Sequence, residues 1–381
     1  MKTKIAIIRG PNLNSWEMQN FAPLADAYDL VGFTSSGNSY DISLIPFEIR
    51  KLFSVGEFLS ARFLRNPMNN LVGDYHDLVG LESALSEFDI VNTAETSYYC
   101  SYQAAKSKRE NGFKLVLTVW ENIPFLINHS AAVRNKKEIA RQTDLFLAIS
   151  ERAKEVLILE GMPEEKVKVQ MPGIDVDHFH PMPKDIELLQ RFGCDAEDFV
   201  VLYVANLYRE KGIFDLIFAF RRLMDRLGEK SKIKLLIAGR GRERDNILRL
   251  IRQLRLESCA RLIGSYPYSE MPKIHNLGDA FVLPSIPIPT WQEQFGYVLV
   301  ESMACGKPVI STLSGSIPEV VGDAGILVQP NDCLSILTAL ERLVSDVTYR
   351  NELSVHARAC AENNYDSKKV AVQFEQHYNS L

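Results

Sequence analysis

No apolar run in the 381-residue sequence is long enough to cross a membrane, and the first one, 6–8, is cut short by Arg9. That is also too brief for a secretory leader, so a cytoplasmic protein is expected. Paired cysteines are missing as well. Cys100, Cys194, Cys259, Cys305, Cys333 and Cys360 lie far apart, without the close spacing that structural metal sites and dithiol motifs need. Reduced thiols are expected, with no metal and no cofactor. There is little surplus charge: 43 Lys and Arg against 48 Asp and Glu leave −5. No global field draws nucleic acid, which is therefore not an expected partner. Low-complexity tracts and internal repeats are also absent.

What is present is the material of a folded interior, 46% hydrophobic and 24% charged residues, in a chain long enough for about two domains of roughly 150 to 200 residues. Short runs rich in β-branched residues recur between helical patterns, the signature of parallel sheets built from strand–helix–strand units. Strands are expected at 5–8, 30–33, 90–92, 115–119, 145–149 and 167–170, then at 199–204, 234–238, 261–263, 280–283, 309–311 and 326–328. After Gly212, the residues Ile213, Leu216, Ile217, Phe220, Leu223, Met224 and Leu227 make one apolar helical stripe. Residues 177–184, with Pro181 and Pro183, break both periodicities and read as a linker. The expected organisation is α/β: an N-terminal Rossmann-like domain over 1–180, a C-terminal one over 181–360, and a final helix over 361–381 crossing back to the first.

Residues 41–75 carry Arg50, Lys51, Arg62 and Arg65 among Ile49, Leu52, Phe53, Phe58, Leu59 and Phe63, a basic amphipathic helical pattern. Such a helix covers a sheet with its charges in water. The alternative is peripheral contact of this domain with anionic lipid headgroups or a lipid-linked acceptor.

The densest chemistry lies in Pro289-Thr290-Trp291-Gln292-Glu293-Gln294-Phe295-Gly296-Tyr297-Val298-Leu299-Val300-Glu301, between a strand and a helix. A glycine turn opening a helix offers unpaired N–H groups and the positive end of the helix dipole, which suit a phosphate. Glu293 precedes the helix and Glu301 lies about two turns inside it, so the two carboxylates reach opposite ends of an elongated ligand. The spacing alone also fits a capping glutamate followed by a solvated one.

This block resembles the Glu-x7-Glu motif of retaining glycosyltransferases of family four (group 1), which have the GT-B fold of two Rossmann-like domains. Met171-Pro172-Gly173-Ile174-Asp175, Glu210-Lys211-Gly212, Ile237-Ala238-Gly239-Arg240-Gly241, Val282-Leu283-Pro284-Ser285 and Ile317-Pro318-Glu319-Val320 resemble the family's other segments in order. The resemblance implies transfer of a hexose-type sugar from a UDP, GDP or ADP sugar to a hydroxyl acceptor, metal-independently and with retention. A sugar-nucleotide epimerase or phosphorylase of the same fold is the rival reading.

By the same resemblance, Glu301 holds the ribose hydroxyls, Glu293 contacts the donor sugar and Lys211 neutralises the leaving diphosphate. Phe295, Gly296, Tyr297 and Val298 then form the donor-binding turn. The family's arginine before that lysine is replaced by Asn206; Arg209 is either its substitute or a surface charge. The family's histidine after the strand at 115–119 is replaced by Trp120-Glu121-Asn122, where Glu121 is a candidate contact for sugar or acceptor. His129 reads as a helix-surface residue. Gly10, followed by Pro11, stands where relatives carry two glycines near the phosphate. Asp175-Val176-Asp177 has the form of a metal-binding Asp-x-Asp but reads as a structural turn.

Overall fold

A computed structural model of the chain describes residues 2–58, 77–228 and 231–381. The chain divides into two compact units, 1–173 with 367–381, and 174–366. The division falls ahead of the Pro181–Pro183 segment, where the sequence suggests a boundary at 180. Those prolines belong to the second unit, where Asn276 accepts the Met182 N–H at 2.9 Å and donates to the His180 carbonyl at 2.9 Å. Residues 361–366 stay with the second unit, and Ser367–Leu381 count with the first.

In the first unit the strands are β1 (Lys4–Gly10), β2 (Asp29–Ser35), β3 (Glu48–Leu52), β4 (Ile90–Ala94), β5 (Lys114–Val119), β6 (Leu145–Ala148) and β7 (Val167–Val169). They form one parallel sheet in the order β3-β2-β1-β4-β5-β6-β7. Ile5 and Ile7 of β1 sit in a core with Leu30, Ile90, Val116, Leu145 and Leu147. The helix Ser367–Asn379 closes that core with Val370, Phe374 and Tyr378. Beneath the β1–β4 junction, Arg9 is buried. Its Nε donates to Glu17 at 2.5 Å, and both terminal nitrogens donate to Asn92 Oδ1 at 3.1 Å. Asn92 in turn donates to the Tyr378 hydroxyl at 3.0 Å.

Of the basic helix expected over 41–75, the described part holds a strand, Glu48–Leu52, and a short helix, Val55–Phe58. Glu48–Leu52 pairs parallel with β2, from Val31 opposite Glu48 to Ser35 opposite Leu52. Phe47 and Ile49 both pack on the core, a two-residue alternation hidden among charged neighbours. Arg50 bonds Glu48 at 2.7 Å and Glu87 at 2.5 Å, and its guanidinium lies 5.8 Å from the ring centres of Phe33 and Phe88. Leu59, Arg62, Phe63 and Arg65 lie outside the described residues.

The second unit holds β8 (Phe199–Val204), β9 (Ile233–Ala238), β10 (Ala260–Gly264), β11 (Ala280–Leu283), β12 (Val309–Thr312) and β13 (Ile326–Val328), in the parallel order β10-β9-β8-β11-β12-β13. The helix Ile213–Leu227 buries the expected stripe, from Ile213 to Met224, against it. Arg358 ties this unit's entry to its site helix, donating to the carbonyls of Phe179 at 2.7 Å and Ala304 at 2.6 Å. Asp175 is a turn-former, its Oδ1 accepting from the N–H of Asp177 and of His178. In each sheet the strand order reverses once, at β1/β4 and at β8/β11, and ligands of open parallel sheets bind at the strand carboxyl ends beside such a reversal. No helix among the described residues is long and apolar enough to cross a membrane.

Phe374 is 4% exposed, with its ring centre 4.8 Å from that of Phe21. Phe374→Ala is expected to destabilise the first unit by about 3–5 kcal/mol, read as an earlier urea midpoint. An unchanged midpoint would show that the helix does not close this core.

Candidate functional site

At the β8/β11 reversal, two loops are pressed together backbone to backbone. Gly212, which ends the short turn Arg209–Lys211, has φ +72, and a Cβ there would lie 1.7 Å from the Pro284 carbonyl oxygen. This contact carries Lys211, at the end of the β8 loop, to Glu293, in the β11 loop. Lys211 Nζ lies 2.7 Å from Glu293 Oε2 and 4.5 Å from the Trp291 ring centre. Ser285 Oγ donates to the same Glu293 oxygen at 2.9 Å. Glu293 is fixed from below too. Its carbonyl accepts the Ser316 N–H at 2.9 Å, and a Cβ on Gly315 would fall 2.0 Å from it. The carboxylate is 7% exposed, so its charge is balanced by the ammonium, and removing either partner alone leaves an uncompensated buried charge.

The helix Tyr297–Ala304 follows. Gly296, at φ +87, begins it, and no side chain caps its amino end. Glu301 lies on this helix, 2% exposed, with Oε2 3.2 Å from His275 Nε2. His275, on the helix Met271–Leu277, is fully buried, and its Nδ1 is 3.0 Å from Ser302 Oγ. Nothing in the sequence marks His275, a lone histidine in an apolar stretch with no motif around it. Phe295 is 1% exposed, between the rings of Tyr297 at 5.1 Å and Tyr365 at 5.6 Å, so it anchors the turn. Tyr297 and Val298 are half-buried. Asn206 is exposed, and so is Arg209, whose guanidinium stands 5.4 Å from the Phe214 ring. Arg242, after β9, adds another cation at this edge, paired with Glu210 at 3.1 Å.

Gly10 and Glu121 belong to the first unit. Gly10 ends β1 at φ +52. Glu121, beyond β5, folds onto its own loop: its Oε1 accepts the Ile123 N–H at 2.8 Å, and burial pushes its carboxyl up. His129 caps the helix Ser130–Gln142 through its side chain. A carboxylate that no motif announced stands at the β1/β4 reversal. Glu95, directly after β4, adopts φ +63, rare for a residue with a side chain, and is 7% exposed. Its Oε1 accepts the Trp120 N–H at 2.8 Å.

Burial drives the Glu95 carboxyl up to about 8 from an ordinary 4.5; the Trp120 N–H opposes this, and Glu121 adds to it. Between those values the folded chain holds a proton that the unfolded chain has lost. Glu95 therefore contributes stability that is full below pH 4.5 and is lost as pH rises towards 8. Glu95→Gln, which mimics the neutral acid, should melt near the parent at pH 5 and progressively above it towards pH 8. Parallel melting curves across that range would contradict the assignment.

Comparison with known proteins gives a family match that lies within the second unit. Residues 185–359 match the family model described as glycosyl transferases group 1. Among curated relatives, N-acetyl-alpha-D-glucosaminyl L-malate synthase of Bacillus anthracis is 28% identical over 194 residues, 50% of this chain and 48% of that protein. O-antigen chain mannosyltransferase B of Escherichia coli is 27% identical over 221 residues, 57% of this chain and 56% of that protein. The chain thus spans about half the length of the curated relatives it matches. The crystal structure of Anabaena Alr3699/HepE in complex with UDP shares the fold at TM-score 0.79 and 21% identity, covering 100% of both chains. Residues 185–359, most of the second unit, are similar to the glycosyl transferases group 1 family, and the pair of parallel sheets has the GT-B fold of two Rossmann-like domains.

Proposed function

We propose that this chain transfers a hexose-type sugar, with retention and without a metal, from a nucleoside-diphosphate donor to a hydroxyl acceptor. The observation that carries the reading is the Lys211–Glu293 pair at the β8/β11 reversal, one loop ahead of the helix bearing Glu301. The donor takes the second unit. Its diphosphate draws Lys211, sugar hydroxyls donate to Glu293, and the ribose diol donates to Glu301. Glu121, at the carboxyl edge of the first sheet, takes the acceptor. The names of the relatives, an N-acetyl-alpha-D-glucosaminyl L-malate synthase and an O-antigen chain mannosyltransferase, support sugar transfer. The UDP of the Anabaena structure makes UDP the first nucleotide to try.

In the proposed step the bond from the sugar's anomeric carbon to the β-phosphate oxygen breaks. The acceptor oxygen bonds to that carbon on the same face, and the acceptor proton passes to an oxygen of the departing phosphate. Charge grows on that phosphate as the bond opens, so a fixed ammonium stabilises the transition state more than the ground state. Lys211→Ala is expected to lower kcat by about 100-fold or more while nucleoside-monophosphate affinity stays within about twofold. Equal losses of mono- and diphosphate affinity with intact turnover would contradict it.

Charged hydrogen bonds contribute about 1.5 to 3 kcal/mol each, so Glu301→Ala should weaken nucleoside-diphosphate binding at least about tenfold by calorimetry. The experiment that tests the whole reading incubates the protein with UDP, GDP and ADP sugars, with and without a polyol acceptor, in chelator. Nucleoside diphosphate released only when acceptor is present, together with an α- or β-product matching the donor, supports it. Conversion of the free nucleotide sugar without acceptor, or activity restored only by magnesium or manganese, overturns it.

A further inference from the structure

Glu301 is held in an unusual way. A carboxylate offers about four lone-pair positions, and one that is 2% exposed needs donors in place of lost water. Its side chain has one hydrogen-bond partner among the described residues, His275 Nε2 at 3.2 Å on Oε2, and Oε1 has none. Because an ionised carboxylate has no proton to give, Nε2 carries the hydrogen and donates. Its Nδ1 lies 3.0 Å from Ser302 Oγ, within hydrogen-bond distance. The imidazole is fully buried, its edges set by Phe179, with ring centres 6.0 Å apart, and by Phe281, at 5.6 Å. Glu301 and Ser302 are consecutive on one helix, so a single rigid ring, bonded to both, leaves the carboxylate one orientation.

We infer that His275 is the positioning residue of the nucleotide site: it sets the plane of the Glu301 carboxylate, leaving Oε1 to accept a vicinal diol. The preference for ribose over 2′-deoxyribose thus runs through a side chain that never touches the ligand. This rests on the reading of Glu301 given above.

The test is calorimetry of the purified full chain with UDP, GDP and ADP and their 2′-deoxy forms, using the base that binds the parent best. The parent should prefer the ribose form by about tenfold. His275→Phe keeps the volume without the donor and should bring the two affinities within about twofold of each other. His275→Gln restores an N–H and should recover most of the preference. A merely structural histidine would lower both affinities together and leave their ratio alone, which would overturn the inference. Where His275→Phe fails to fold, Ser302→Ala probes the same hold from its other end: releasing Nδ1 should lower the ratio severalfold, and an unchanged ratio refutes the two-bond hold. Glu301→Ala separates the two failures. If it loses ribose preference while His275→Phe keeps it, only the inference falls. If Glu301→Ala leaves diphosphate binding untouched, the donor-site reading falls with it.

Discussion

Backbone packed on backbone at the carboxyl edge of the second sheet is the constraint on which the candidate site depends. Parallel pairing delivers every strand end to one edge, but the loops that leave it repel one another unless they approach without side chains. Gly212 against the Pro284 carbonyl and Gly315 against the Glu293 carbonyl permit that approach. Once the loops are locked, Lys211 and Glu293, far apart in sequence, come within 2.7 Å with no flexible segment to tune. The ion pair is a product of the loop packing and does not cause it.

The buried charges follow one pattern in both units. Three of them are met by a side chain that can pair with them. Arg9 has Glu17 and Asn92, Lys211 has Glu293, and Glu301 has His275. Glu95 has the Trp120 N–H in place of such a side chain. Among the described residues no cation bonds it, and it resolves the problem by holding a proton.

Much of this was legible because the physics is periodic. Interior strands buried on both faces read as short apolar runs, and the helix after Gly212 reads as a stripe. The edge strand Glu48–Leu52 escaped since an edge needs only one apolar side: Phe47 and Ile49 supply it, while Glu48, Arg50 and Lys51 imitate a helix's wet face. Glu293, Lys211 and Glu301 stand out through the motifs around them. His275 and Glu95 do not, because their roles come from what the fold brings near them, a helix glutamate in one case and a tryptophan N–H in the other. A single residue type with no fixed neighbour in sequence leaves no pattern to read.

The helix Ser367–Asn379 has a consequence for how the chain is made. Its Phe374 and Tyr378 fill a core whose other wall, Ile5, Ile7 and Leu30, leaves the ribosome more than three hundred residues earlier. The first unit cannot complete this core until Ser367–Asn379 has been made. Residues 174–366, with the whole of the second sheet, are made before Val370, Phe374 and Tyr378 can take their places in the first core, so that core is the last part of the molecule to be filled.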